Sequence, residues 1–420
     1  MSDGLDRPGG RGEVRRDAGS PRGVPPDPSR GQPRGRRELS VVVVGDVVLD
    51  RDVLGTSDRV SPDMGAPVLA VETVSQTPGG AGLTALLCGA PGVHVTLVAP
   101  VATDPPGRAL AEALHRRVGL VPLAHEGGTR VKARLFAHDT AMLRLDTGGS
   151  GRPLGPTPAE LARVRAVLAE ADVVLVSDYG AGTTRDPQLR RLLAEAARER
   201  TVVWDPHPRG GPPVPGVTVV TPNLAEARAA VASLDGPDAD AGARRSPAEL
   251  GAVLRRAWQA GAVCVTTGAD GVTVATGDGA VPVAPPLVAH GDPCGAGDRF
   301  AASVALELAA GEPVHQAVTR AVADSAAWVD GVGAQFRHSF GDDGPVDLGG
   351  PDPTGGSPAR PESTGRGVPA RPAGGPDLTA SSAPPAAPSS RPAASSTSCT
   401  PATSATSPRP APWATRWWCW

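Results

Sequence analysis

No isoleucine occurs in the 420 residues, and lysine, asparagine and tyrosine occur once each, as Lys132, Asn223 and Tyr179. Those four residue types need AT-rich codons, so their scarcity points to a very GC-rich gene. Where one persists against that bias, its chemistry is hard to replace. Cysteine is sparse too: Cys88, Cys264, Cys294, Cys399 and Cys419 are scattered without CxxC spacing. This fits a reducing cytoplasm better than a disulfide framework or a zinc site. No excess of positive charge exists, the net charge being −3, which argues against a nucleic-acid or anionic-membrane partner. No apolar run reaches the length of a membrane span, and the Arg/Gly/Pro-rich start lacks the apolar centre of a signal peptide.

The most informative segment is Gly291-Asp292-Pro293-Cys294-Gly295-Ala296-Gly297-Asp298, followed by a helix-like run from Arg299 to Ala310. Small residues at Gly295, Ala296 and Gly297 let main-chain N–H groups approach an anion, and the helix adds its positive end at the same point. Asp298 stands at the mouth of that cradle, where a carboxylate takes a proton from a hydroxyl as a phosphoryl group arrives. The competing reading is an ordinary Gly-rich turn.

From Leu39 onward short β-branched runs alternate with helical patterns. Val41–Val44, Val95–Ala99, Val173–Val176, Thr201–Trp204, Val217–Thr221 and Val263–Thr267 read as buried parallel strands. Thr157-Pro158-Ala159-Glu160 and Ser246-Pro247-Ala248-Glu249 are capping boxes that open helices. The pattern predicts an α/β fold, a mostly parallel sheet with helices on both faces. Asp52–Thr77 and Thr129–Asp146 break the rhythm with period-2 alternation and read as a small antiparallel sheet, either a lid or a pair of edge hairpins. Residues 1–38 and 339–420 lack hydrophobic periodicity and are expected to be disordered, leaving 39–338 as the folded domain.

Four further clusters carry chemistry. Asp46 and Asp50 follow the first strand, where open α/β sheets place ligand-binding residues. Gly79 and Gly80 sit in a turn that opens a helix, suited either to close substrate approach or to tight packing. Asn223 and Glu226, one helical turn apart, either organise a hydrated Mg²⁺ or cap the helix they begin. Thr267, Gly268 and Gly271 form a hydroxyl/glycine turn at a strand end, fit for nucleotide phosphates or for a plain hairpin.

The order of these clusters across Leu39–Phe336 resembles that of the ribokinase-like (PfkB) carbohydrate kinases. Val44-Gly45-Asp46-Val47-Val48-Leu49-Asp50-Arg51, Arg59-Val60-Ser61-Pro62-Asp63, Ser177-Asp178-Tyr179-Gly180 and Asp205-Pro206 are similar, within that family, to the D-glycero-β-D-manno-heptose 7-phosphate kinases. The resemblance implies a cytoplasmic enzyme dependent on ATP and Mg²⁺, with Asp298 as base and Gly295, Ala296 and Gly297 as anion hole. It implies Asn223 and Glu226 near Mg²⁺ and the phosphates, and Thr267, Gly268 and Gly271 along the nucleotide. Asp46, Asp50, Gly79 and Gly80 would hold the sugar, and Lys132 and Arg134 the distal sugar phosphate, because a dianion needs paired cations. A homodimer through the lid is implied as well. A kinase for another sugar or nucleoside, or a non-catalytic sensor on the same fold, are the alternatives. The chain departs from the family pattern at Leu83, where an asparagine is usual, at Ala181, where lysine is frequent, and at Cys294, where threonine is common. Cys294 is expected to be a buried, inert thiol, with a reactive thiolate as the alternative.

The tail invites a separate reading. With GC-rich codons read one nucleotide earlier, Ser389–Ser404 permits Val-Val-Ala-Thr-Gly-Gly-Val-Phe-Asp-Leu-Leu-His-Ala-Gly-His-Val. Trp413 onward permits Leu-Gly-Asp-Ala-Val-Val-Val. That is a strand, an HxGH turn and a second strand, resembling the nucleotidyltransferases fused behind heptose kinases. The tail is therefore read as an out-of-frame product of such a domain, against the alternative of a genuine low-complexity segment.

Overall fold

The computed structural model describes residues 38–138, 140–148, 152–235 and 244–338. The expected disordered ends, Glu38 apart, and the out-of-frame reading of the tail lie outside the described residues.

The runs rich in valine form the centre of a nine-stranded sheet. Its strands are β1 (Leu39–Gly45), β4 (Val93–Pro100), β5 (Gly119–Leu123), β10 (Val173–Ser177), β11 (Thr201–Asp205), β12 (Val219–Val220), β13 (Ala262–Thr266), β14 (Val272–Ala275) and β15 (Ala280–Val283), in the spatial order β15-β14-β13-β12-β11-β10-β1-β4-β5. Every pairing from β13 to β5 is parallel, and β14 and β15 append an antiparallel edge. Parallel strands buried on both faces need apolar residues at every position, and the alternation sorts them cleanly. Val41, Val43, Leu175 and Val203 pack on one side with Leu110, Leu114, Phe300 and Val318. Val42, Val44, Val176 and Trp204 pack on the other with Val164, Leu168, Leu193, Leu250 and Leu254. The fifth expected strand, Val217–Thr221, shrinks to the two residues of β12, because Pro222 ends it without an N–H to donate.

Both capping boxes form, with Thr157 and Glu160, and Ser246 and Glu249, exchanging hydrogen bonds at the starts of helices Pro158–Glu170 and Pro247–Ala257. Each cap is worth about 1 kcal/mol.

A second sheet of four strands has the order β3-β2-β7-β8, from β2 (Val47–Val60), β3 (Pro67–Gly80), β7 (Val131–Ala137) and β8 (Thr140–Thr147). A separate antiparallel ribbon pairs β6 (His125–Glu126) with β9 (Arg152–Pro153). The expectation of an antiparallel sheet needs correction. The two hairpins β2–β3 and β7–β8 are antiparallel, but they join through a parallel β2–β7 pairing that sets Asp50 beside Lys132 and Asp52 beside Arg134. Period-2 alternation fixes which face a residue takes, and it is silent about strand direction. Among the described residues no helix is long and apolar enough to cross a membrane.

Candidate active site

In an open α/β sheet the carboxyl ends of parallel strands and the amino ends of the following helices converge, and ligands bind there. Here Asp46 follows β1, Asp178 and Tyr179 follow β10, Asp205 ends β11, Asn223 follows β12 and Thr267 follows β13. The helix Ala296–Ala309 starts against the same edge, its N-cap Gly295 in the left-handed conformation at φ 81°. A Cβ on Gly295 would lie 3.0 Å from Leu83 Cδ2 and 3.2 Å from Trp328 Cζ2, so both the backbone and the space require glycine. The indole Nε1 of Trp328 donates to the Cys294 carbonyl at 2.8 Å and fixes the loop from behind. The first-turn N–H groups of Gly297 and Asp298 have no acceptor within the helix, and a Cβ at Gly297 would meet nothing within 4 Å. The cradle therefore faces open space.

Asp298 is buried at the mouth of this cradle, 6% exposed. Thr84 Oγ1 donates to its Oδ1 at 2.6 Å, and the Tyr179 hydroxyl lies 2.7 Å from both carboxylate oxygens. A threonine hydroxyl has one proton; with that proton on Asp298, Ser177 Oγ, 3.0 Å from Thr84 Oγ1, is the donor in their contact. Burial pushes the Asp298 carboxyl up to about 6, opposed by the bonds from Thr84 and Tyr179. A carboxylate in this range is ionised at neutral pH and still basic enough to accept a proton.

The expected sugar side is assembled from two sheets. Asp50 on β2 lies over Gly79, where an added Cβ would collide with its carboxylate. Burial raises the Asp50 pKa, with Lys132 acting against it. The Lys132 Nζ lies 5.3 Å from the centre of the Tyr179 ring. Arg134 pairs with Asp52 at 2.7 Å and reaches Cys294 Sγ at 3.0 Å. It thus ties the second sheet to the cradle loop.

Two expectations are corrected here. Asp46 is 2% exposed, and its Oδ2 accepts from the N–H groups of Tyr179 and Ala181. Its Oδ1 accepts from the N–H and hydroxyl of Thr183. With four donors in place, its carboxylate is an anchor for the 179–183 loop and offers no free oxygen to a sugar. Cys294, expected to be buried and inert, is partly exposed and in contact with Arg134.

On the expected nucleotide side, Asn223 and Glu226 make a reciprocal cap. The Asn223 N–H donates to Glu226 Oε2 at 2.8 Å and the Glu226 N–H to Asn223 Oδ1 at 3.0 Å. The capping alternative is therefore present in the structure, and it leaves Glu226 Oε1 available. Burial raises the pKa of Glu226 and of Asp205, and for Asp205 the charge of Glu226 adds to it. Burial likewise pushes Asp178 up to about 6. Among the described residues no three His, Cys, Asp or Glu side chains converge to ligate one ion directly. The donor set, carboxylates with little compensating charge, suits a hydrated hard cation such as Mg²⁺. The turn Thr267–Gly271 closes through Thr267 N–H and Oγ1 on the Gly271 carbonyl. A bridge between Asn223 and Thr266 brings this turn beside the cap.

Thr84, Ser177 and Asp205 were not among the candidate site residues. Thr84 carries no local sequence signal. Asp205 had one, an acidic residue ending a parallel strand. Tyr179 had one as well, as the single tyrosine of a GC-rich chain.

Residues 38–339 match the model of the pfkB family carbohydrate kinases. Bifunctional protein HldE of Streptomyces coelicolor is 45% identical over 294 residues, covering 70% of this chain and 61% of that protein. Bifunctional protein HldE of Caulobacter sp. is 36% identical over 285 residues, covering 66% and 57%. The chain thus spans about three-fifths of the length of these relatives. Among solved structures, ribokinase of Thermotoga maritima superimposes with a TM-score of 0.52 at 17% identity, covering 71% of this chain and 95% of that one. Phosphofructokinase-2 of Escherichia coli does so with 0.53 at 17% identity, covering 70% and 93%. The chain belongs to the PfkB family and is a sugar kinase.

Proposed function

We propose that this PfkB-family kinase transfers the γ-phosphoryl group of ATP to the anomeric hydroxyl of D-glycero-β-D-manno-heptose 7-phosphate, giving the 1,7-bisphosphate in the cytoplasm. The observation that carries the reading is Asp298, buried and hydrogen-bonded at the mouth of the Gly295–Gly297 cradle. The heptose assignment draws on the similarity of 44–51, 59–63 and 177–180 to heptose 7-phosphate kinases and on the HldE relatives.

In this reading Asp298 orients the acceptor hydroxyl and takes its proton as the oxygen attacks in line. The N–H groups of Gly295 and Gly297 face the charge that develops on the transferring group; the Ala296 N–H, expected to join them, donates instead to the Pro293 carbonyl at 3.0 Å and shapes the turn. Asn223 and Glu226 would hold Mg²⁺ through water, and the ion, when bound, neutralises phosphate charge. Thr267, Gly268 and Gly271 line the nucleotide. Asp50, Gly79 and Gly80 hold the sugar, and Asp46 holds the loop that carries Tyr179. Lys132 and Arg134, two residues apart on β7, supply positive charge to the sugar phosphate, with Asp52 fixing Arg134. The second sheet acts as a lid. Exposed Met142, Leu143 and Leu145 on β8 give it an apolar face for a second copy of the chain.

One observation favours a different sugar. Leu83 is buried in the core, so it offers no hydrogen bond where related kinases use asparagine. The test is ATP turnover against a panel of sugars, sugar phosphates and nucleosides, with Asp298→Asn alongside. Heptose 7-phosphate is expected to give the highest kcat/KM, and Asp298→Asn to lose at least a thousandfold in kcat. A different preferred acceptor overturns the heptose assignment, near-normal turnover by Asp298→Asn overturns the base, and no turnover with any acceptor favours a sensor.

A further inference from the structure

We propose that the Tyr179 hydroxyl holds the acceptor's place on Asp298 until a sugar arrives, keeping the base from activating water against bound nucleotide. This inference rests on Asp298 being the base.

The geometry is that of a substrate analogue built into the chain. An acceptor hydroxyl must sit within hydrogen-bond reach of the base, and the phenol does so at 2.7 Å from both oxygens. Of the two donors on Asp298, Thr84 is fixed: it is fully buried in the helix Ala81–Leu87 and in contact with Ser177 Oγ and the Gly80 carbonyl. Tyr179 belongs to a loop, and Asp46 grips that loop through main-chain N–H groups and Thr183. The grip leaves the backbone in place while the side chain turns about χ1. The phenol can therefore yield to a ligand without the loop unfolding.

The phenol is also chemically inert in this position. Burial, with the charge of Asp298 added, raises its pKa well above the ordinary value, so Asp298 does not remove its proton. An exposed carboxylate beside the cradle would instead order a water for attack. Water and sugar differ in what else they bring. Lys132 stands over the Tyr179 ring, a contact that favours the closed side chain. A phosphorylated sugar engages Lys132 and Asp50 as it enters and loosens that contact, whereas water offers Lys132 no comparable anion. An acceptor hydroxyl then replaces the phenol bond for bond.

Tyr179→Phe in the full chain tests the idea. Hydrogen bonds to charged groups are strong enough that removing this competitor should raise sugar-independent ATP hydrolysis at pH 8 by roughly tenfold. The KM of the preferred acceptor should fall by a similar factor while kcat is kept. The acid limb of kcat/KM, which reports the free enzyme, should move to higher pH, because a donor to the carboxylate is lost. The limb of kcat should stay, because in the complex the phenol has already left. Tyr179 is the only tyrosine, so ¹³Cζ-tyrosine labelling of the unmutated protein gives one resonance. It should shift when the acceptor is added with a non-hydrolysable ATP analogue. Unchanged hydrolysis and KM in Tyr179→Phe, a kcat limb that moves together with that of kcat/KM, or a resonance indifferent to acceptor each overturn the inference. If Asp298→Asn is inactive while any of these holds, only the role of Tyr179 fails. If Asp298→Asn keeps its turnover, the base assignment fails first.

Discussion

Asp298→Asn should make the protein more stable while removing its activity, and the gain should depend on pH. The carboxyl is 6% exposed and stands at about 6 against an ordinary 3.8. At about 1.36 kcal/mol per pH unit, holding it ionised in the fold costs about 3 kcal/mol at pH 8. The sign follows from proton linkage. Between about pH 4 and pH 6 the folded state binds the proton that the unfolded state has released, so stability falls as pH rises through that window and stays lower above it. Asparagine keeps the shape and an acceptor for Thr84 and Tyr179 but has no charge to bury. Urea unfolding should therefore show Asp298→Asn gaining about 2–3 kcal/mol at pH 8 and less than about 1 kcal/mol at pH 4. Asp178 and Glu226 titrate in both proteins, and Asp205, whose pKa the Asp298 charge helps to raise, is relieved of that push in the variant, which adds to the gain at pH 8. An equal gain at both pH values, or a loss at pH 8, would refute the claim that this carboxylate is held against its own preference.

Gly295→Ala forces a side chain into φ 81° and sets a Cβ 3.0 Å from Leu83 and 3.2 Å from Trp328. It should lower stability by about 1–2 kcal/mol, and kcat should drop further than that loss accounts for; a variant with wild-type kcat would separate the cradle from the chemistry. Glu226→Gln preserves the reciprocal cap, since glutamine serves in that motif as well as glutamate, but removes the charge. The Mg²⁺ concentration for half-maximal rate should rise several-fold while the melting temperature at pH 8 rises, because a carboxyl that burial pushes up to about 7 gives way to a neutral amide; an unaltered Mg²⁺ dependence would reduce Glu226 to a cap.

The fold was readable wherever its cause was local. The valine runs, the two capping boxes and the Gly295 cradle each follow from residues a few positions apart. Strand direction in the second sheet was not, because β2 and β7 meet across about eighty residues and either direction satisfies a period of two. The partners of Asp298 were hidden for the same reason: Thr84 is 214 positions away and Tyr179 is 119. Asp46 shows the opposite failure. A carboxylate after the first strand reads as ligand-binding from its place in the topology, but only the path of the 179–183 loop reveals that four donors already surround it. Asn223 and Glu226 stay ambiguous by nature, because capping a helix and presenting oxygen to a hydrated ion need the same two side chains.

The clustering of acids along the strand ends bears on why the site has this form. Asp178, Asp205, Glu226 and Asp298 all have pKa values raised chiefly by burial, and each therefore weakens the fold when ionised. A purely structural role would be served better by asparagine, glutamine or serine at these positions. Charge that destabilises the empty protein is an asset only where a ligand brings opposite charge or a proton to be taken. In the proposed mechanism Asp298 meets the second condition and the Asp205–Glu226 pair the first. Lys132 and Arg134, whose charges oppose the raised pKa of Asp50, are carried on the second sheet, so their field over the carboxylates depends on where that sheet sits. The sheet proposed to supply positive charge to an entering phosphate thus also tempers how strongly Asp50 and Asp298 hold their protons. On the proposed mechanism, phosphate binding and the basicity of Asp298 are linked through Lys132 on β7.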